Sequence, residues 1–74
     1  MDLTEAVAVA KQHVGGLFTA AALRDVRMEE YLYDDHLGVW TVTIGFALND
    51  VQTRNHKIVR VSQADKSVLS VRDR

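Results

Sequence analysis

The stretch Val39-Trp40-Thr41-Val42-Thr43-Ile44-Gly45-Phe46 constrains this chain more than any other. Trp40, Val42, Ile44 and Phe46 alternate with Thr41, Thr43 and Gly45. Successive strand side chains point to opposite faces, so the pattern gives one apolar face and one small or polar face. β-branched and aromatic residues suit such a half-buried pleated surface. The spacing predicts a central strand over 39–48, with Trp40 in the core because the rest of its face is apolar.

Other segments arrange themselves around it. Thr4 is a candidate N-cap, Glu5 sits where a helix dipole favours an acid, and Leu3 can staple onto the first turn. Val7, Ala10, Val14 and Leu17 recur at helical steps, widened by Ala6 and Val9. This predicts a helix over 4–15, closed by a left-handed glycine at Gly15-Gly16. The alternative is that the helix runs on, with an extra turn over 19–23. A first strand is predicted over 26–33, with Val26, Met28 and Leu32 on one face and Arg27, Glu29, Tyr31 and Tyr33 on the other. Glu30 breaks that alternation. Either it lies at a sheet edge, or a bulge resets the register and swings Tyr31 or Tyr33 inward.

Asp34 to Gly38 reads as a hairpin loop, and Asn49 to His56 as a long polar loop, expected to be mobile. A third strand is predicted over 57–62, with Val59 and Val61 inward, and a fourth over 68–72, with Leu69 and Val71 inward. The expected architecture is one α+β domain over 1–74: an N-terminal helix packed on a four-stranded antiparallel β-meander.

Seventy-four residues leave room for one core and none for a deep enclosed site. The absence of cysteine excludes disulfides and thiolate chemistry. No apolar run approaches the roughly 20 residues that span a bilayer, so no membrane partner is expected. The start lacks the basic region of a signal peptide, which reads as cytoplasmic unless an export signal has been cut away. The net charge of −1 makes nucleic acid an unlikely partner. The charge is unevenly placed. Residues 1–53 carry three basic and eight acidic side chains, and residues 54–74 carry six basic and two acidic ones. In a meander this polarity sets an acidic first strand against a basic last one.

The helix after Leu3-Thr4-Glu5-Ala6, the strand Trp40 to Phe46, and Ile58-Val59-Arg60-Val61 through Asp65 to Val68-Leu69-Ser70-Val71-Arg72 resemble small bacterial domains of the PepSY type and related immunity-protein folds. Ser67 stands where the last turn of that pattern often has glycine. The resemblance implies a non-catalytic module that binds or inhibits a protein, and it carries over no functional residue.

No catalytic constellation is visible, and no cofactor or metal is expected. His36 with Asp34 and Asp35 has donors that suit Zn²⁺ or Mn²⁺, but a solvated acidic turn explains them as well. Gly15-Gly16 follows a helix, whereas a phosphate cradle precedes one. The predicted binding surface is the sheet face away from the helix, carrying Tyr31, Tyr33, Thr41, Thr43, Ile58, Arg60 and Arg72. Its expected use is protein binding, including a homodimer in which each acidic end meets the partner's basic end. Single-stranded nucleic acid on a tyrosine and arginine platform is the alternative.

Overall fold

A computed structural model describes residues 1–18, 23–48 and 53–74. One helix, α1 (Leu3–Leu17), is followed by four strands: β1 (Leu23–Asp34), β2 (Val39–Leu48), β3 (Arg54–Ser62) and β4 (Val68–Asp73). The strands form one antiparallel sheet in the order β1-β2-β3-β4, the expected meander. The extra turn over 19–23 and the mobility of the 49–56 loop fall largely on residues 19–22 and 49–52, outside the described residues. Leu23 opens β1 and Arg54 opens β3, so both strands start three residues before their predicted limits.

The helix departs from the expected start, and of the two readings of its end it follows the one that runs on, as far as Leu17. Asp2, not Thr4, is the N-cap, and its carboxylate accepts from the Glu5 amide at 2.9 Å. At the other end, Gly15 and Gly16 lie inside the helix, which closes at Phe18 without a left-handed glycine. Ala6, Ala10 and Val14 are its buried residues, whereas Leu17 is exposed. Phe18 takes the place expected for Leu17, its ring 5.2 Å from that of Phe46. Two alanines on the contact stripe leave little side-chain bulk between helix and sheet.

That stripe meets Val42, Ile44, Phe46, Val59 and Val61, all fully buried. Residues paired across an antiparallel ladder share a face. The rows Tyr33–Trp40–Val61–Val68, Tyr31–Val42–Val59–Val71 and Met28–Ile44–Lys57–Asp73 and the pair Phe46–Asn55 therefore face the helix. A register shift near Arg60 and Val61 puts Val68 and Val71 on the core face, where both pack against the cluster. Leu69, expected inward, is displaced by that bulge and stands exposed.

Each turn has its own source of order. Asp34 Oδ1 accepts from the amides of His36 and Leu37, both at 3.0 Å, and Gly38 adopts φ 66°. In the β3–β4 turn the left-handed residue is Lys66, at φ 62°, one position before the Ser67 that replaces the expected glycine. Asp65 holds Ser67 through both its amide and its hydroxyl.

The two glycines inside α1 cost stability without an evident structural return, since a Cβ at either would meet nothing within 4 Å. Glycine in a helix interior costs about 1 kcal/mol relative to alanine. Gly15→Ala and Gly16→Ala should each raise the unfolding free energy by roughly 0.5–1 kcal/mol, read as a higher denaturant midpoint at unchanged slope.

Candidate interaction surface

The first strand decides which residues the sheet offers to a partner. Its pairing with β2 shifts register twice, between Arg24 and Arg27 and between Met28 and Glu30. Each shift sets two β1 residues against one on β2, as in a β-bulge. Asp25 occupies the first at φ 55°, a conformation that aspartate tolerates better than most side chains. The second turns over the strand beyond Met28. Tyr31 pairs with Val42 and Tyr33 with Trp40, so both tyrosines join the helix-facing side.

This corrects their predicted place on the opposite face. Of the alternatives for Glu30, the bulge is the one found. Tyr33 lies 4.6 Å from Trp40, centroid to centroid, and Tyr31 lies 6.4 Å from it. The Trp40 indole N–H donates to Gln63 Oε1 at 2.6 Å. The helix lies chiefly over β2 and β3, so these β1 rings stay beyond its cover. Tyr31 is 54% and Leu32 65% exposed. Leu32, expected on the apolar face, shares the other face with Thr41.

The remaining predicted residues lie on the face away from the helix in two rows, Leu32–Thr41–Arg60–Ser70 and Glu30–Thr43–Ile58–Arg72, with Arg27–Gly45–His56 beside them. Thr41, Thr43, Ile58, Arg60 and Arg72 do share this face. It is not bare, however. Arg54 reaches from β3 to Asp25 at 3.0 Å and to Glu29 at 3.3 Å, and Arg27 pairs with Asp25. Arg74 pairs with Glu30 at 3.2 Å, joining the two edges of the sheet. Thr43, near the middle, is only 5% exposed.

The bulges place Asp25 and Glu29 where the β3 arginine meets them. Gly45 makes room beneath: a Cβ there would stand 2.6 Å from Glu29 Oε1, 2.9 Å from its Cγ and 3.0 Å from Arg54 Nη2. The charge polarity of the sequence is thus partly spent inside the molecule.

The basic cluster of the last two strands is divided between faces. Lys57 lies on the helix-facing side, 5.8 Å from the Phe18 ring centroid and ion-paired with Asp73. Lys66 pairs with Glu5 at 2.7 Å, tying the last turn to the start of α1. Arg60 and Arg72 differ from these: among the described residues neither side chain makes an ion pair or hydrogen bond.

A cleft of about 460 Å³ opens at the far end of the sheet, lined by Phe18, Leu48, His56, Lys57, Asp73 and Arg74 among others. Its lysine and two arginines, Lys57, Arg54 and Arg74, already hold carboxylates. Asp34, which the sequence places in an acidic hairpin loop, uses its carboxylate to order that loop. No helix among the described residues is long and apolar enough to cross a membrane. Comparison with known proteins gives no match, whether to a family model, a curated protein or a solved structure.

Ion pairing sets the pH response. Hydrogen bonding from Arg27, and the nearby charges of Arg27 and Arg54, hold the Asp25 carboxyl below its ordinary range. Lys66 does the same for Glu5. A depressed folded-state pKa stabilises above the unfolded value, and that stability is lost as pH falls through the folded one. Asp25→Asn should therefore lower the thermal midpoint at neutral pH, and the gap from the unmodified protein should close on acidification below about pH 4.

Gly45→Ala tests the close approach of Glu29. The gain from removing a strand glycine is about 0.5–1 kcal/mol, smaller than an overpacking cost of about 1–3 kcal/mol. The single substitution should destabilise, and the same change in a Glu29→Ala background should be neutral or stabilising, measured by denaturant unfolding of all four forms.

Proposed function

We propose that this chain is a small non-catalytic protein-binding module, of inhibitor or immunity type. The observation that carries this reading is the β1 edge at Tyr31, Leu32 and Tyr33. β1 is a twelve-residue edge strand, and its second bulge sends the tyrosines to one face and Leu32 to the other. Three consecutive large side chains are thereby exposed around one strand edge. An unpaired edge is a ready template for strand addition, where backbone bonds give affinity and alternate side chains give specificity. Exposed apolar surface of this kind usually marks an interface. The PepSY-like resemblance, which implies a binding or inhibitory module, favours the same reading.

A second copy is one form such a partner takes, and it would meet the β1 edge rather than the whole ion-roofed face. The nucleic-acid reading has less in its favour, because a stacking platform needs its aromatic and basic groups on one surface. Here Tyr31 and Tyr33 face the helix side, and Arg60 and Arg72 face the other.

The test is affinity capture from a lysate, beside a variant carrying Tyr31→Lys and Leu32→Lys, with light scattering of both. A protein retained by the unmodified chain and lost from the variant is expected. If the unmodified chain is instead a dimer that the variant abolishes, the partner is a second copy. The proposal fails if repeated capture returns no protein and the chain stays monomeric at high micromolar concentration, or if both forms retain the same protein equally.

A further inference from the structure

We infer that Arg60 and Arg72 form a carboxylate-binding pair that receives an acidic segment of the partner protein, a step that rests on the protein-binding reading above. On a sheet face where Arg27, Arg54 and Arg74 all hold carboxylates, these two do not. Ser70 faces Arg60 and Ile58 faces Arg72, so the two arginines are diagonal neighbours on β3 and β4. Diagonal neighbours lie about 7–8 Å apart, within the combined reach of two arginine side chains. Their guanidinium forks match carboxylate geometry, and charge-assisted bonds of this type are the strong ones.

The surroundings narrow the ligand. Thr41 and Ser70 flank Arg60 in its row and supply hydroxyls, and Leu32 ends the same row at the β1 edge. A segment crossing this row meets an apolar side chain at one side and two cations at the other. A polyphosphate backbone is a poorer fit. It needs a continuous basic track, and among the described residues this face offers only Arg60 and Arg72 without an ion-pair partner. Neutralising two cations suits a short run of carboxylates next to an apolar residue.

The experiment titrates the whole chain with a short glutamate-rich peptide containing one leucine, with its glutamine counterpart and with a single-stranded oligonucleotide, following Trp40 fluorescence and calorimetry. The glutamate peptide should bind, the glutamine one should not, and affinity should fall as salt rises. Arg60→Gln with Arg72→Gln should weaken binding by about tenfold or more, as the loss of charge-assisted hydrogen bonds implies. Arg72→Gln alone, on the exposed edge strand, should weaken it in part and guards against misfolding of the pair.

No binding by the unmodified chain, equal binding by the double variant, or tighter binding of the oligonucleotide would each overturn the assignment. So would competition of the peptide with self-association, which makes the acidic segment the Asp34-Asp35 tip of a second copy. If these arms fail while capture still depends on Tyr31 and Leu32, the protein-binding reading stands without the arginine pair. If capture is lost as well, both fall.

Discussion

The seat of α1 on β2 and β3 is the contact on which everything else depends. Ala6 and Ala10 bring the helix close, and Val14 and Phe18 extend the contact towards Ile44 and Phe46. A chain of this size buries only about 60–65% of the surface its unfolded form exposes, so one helix must serve the whole sheet. It lies chiefly over β2 and β3. The edge strands are left to other devices. On β4 these are Val68 and Val71 against the core and ion pairs from Lys57 and Arg74. On β1 they are Val26 and Met28 against the core and the carboxylates of Asp25 and Glu29.

The bulges in β1 reconcile two demands on one strand. Its first half must give apolar side chains to the core, and its acidic groups must lie opposite the arginine of β3. A regular strand with this sequence would put Glu30 against the helix. The second bulge prevents that by moving Glu29 and Glu30 together to the other face, where Arg54 and Arg74 meet them. Solvent-exposed ion pairs are individually weak. Here their consequence is mainly geometric: they cover one half of a sheet face and leave the half around Leu32, Arg60 and Arg72 free.

An asymmetric surface results. One corner of the sheet is aromatic and apolar, through Tyr31, Tyr33, Trp40 and Leu32. The diagonal beside it carries Arg60 and Arg72, which make no ion pair among the described residues. The opposite end is closed by paired charges.

The period-two pattern of Trp40 to Phe46, the helical spacing of Ala6, Ala10 and Val14, and the turn residues at Asp34 to Gly38 determined the element order, the α+β class and most of the core. Local pattern is enough there, because each element must bury one apolar face and short connections pair strands that are consecutive in the chain. The sequence also marked the place of the second bulge, at Glu30, without choosing between a bulge and an edge position. Tertiary structure made that choice. Glu29 finds Arg54 only once β2 lies between them, and Gly45 leaves room for the pair. The same shift took Tyr31 and Tyr33 away from Thr41, Thr43, Ile58, Arg60 and Arg72, dividing the predicted site between two faces. It could not be read from the chain alone because a one-residue slip flips every later side chain, and the contacts that hold the slip come from residues some 25 positions away.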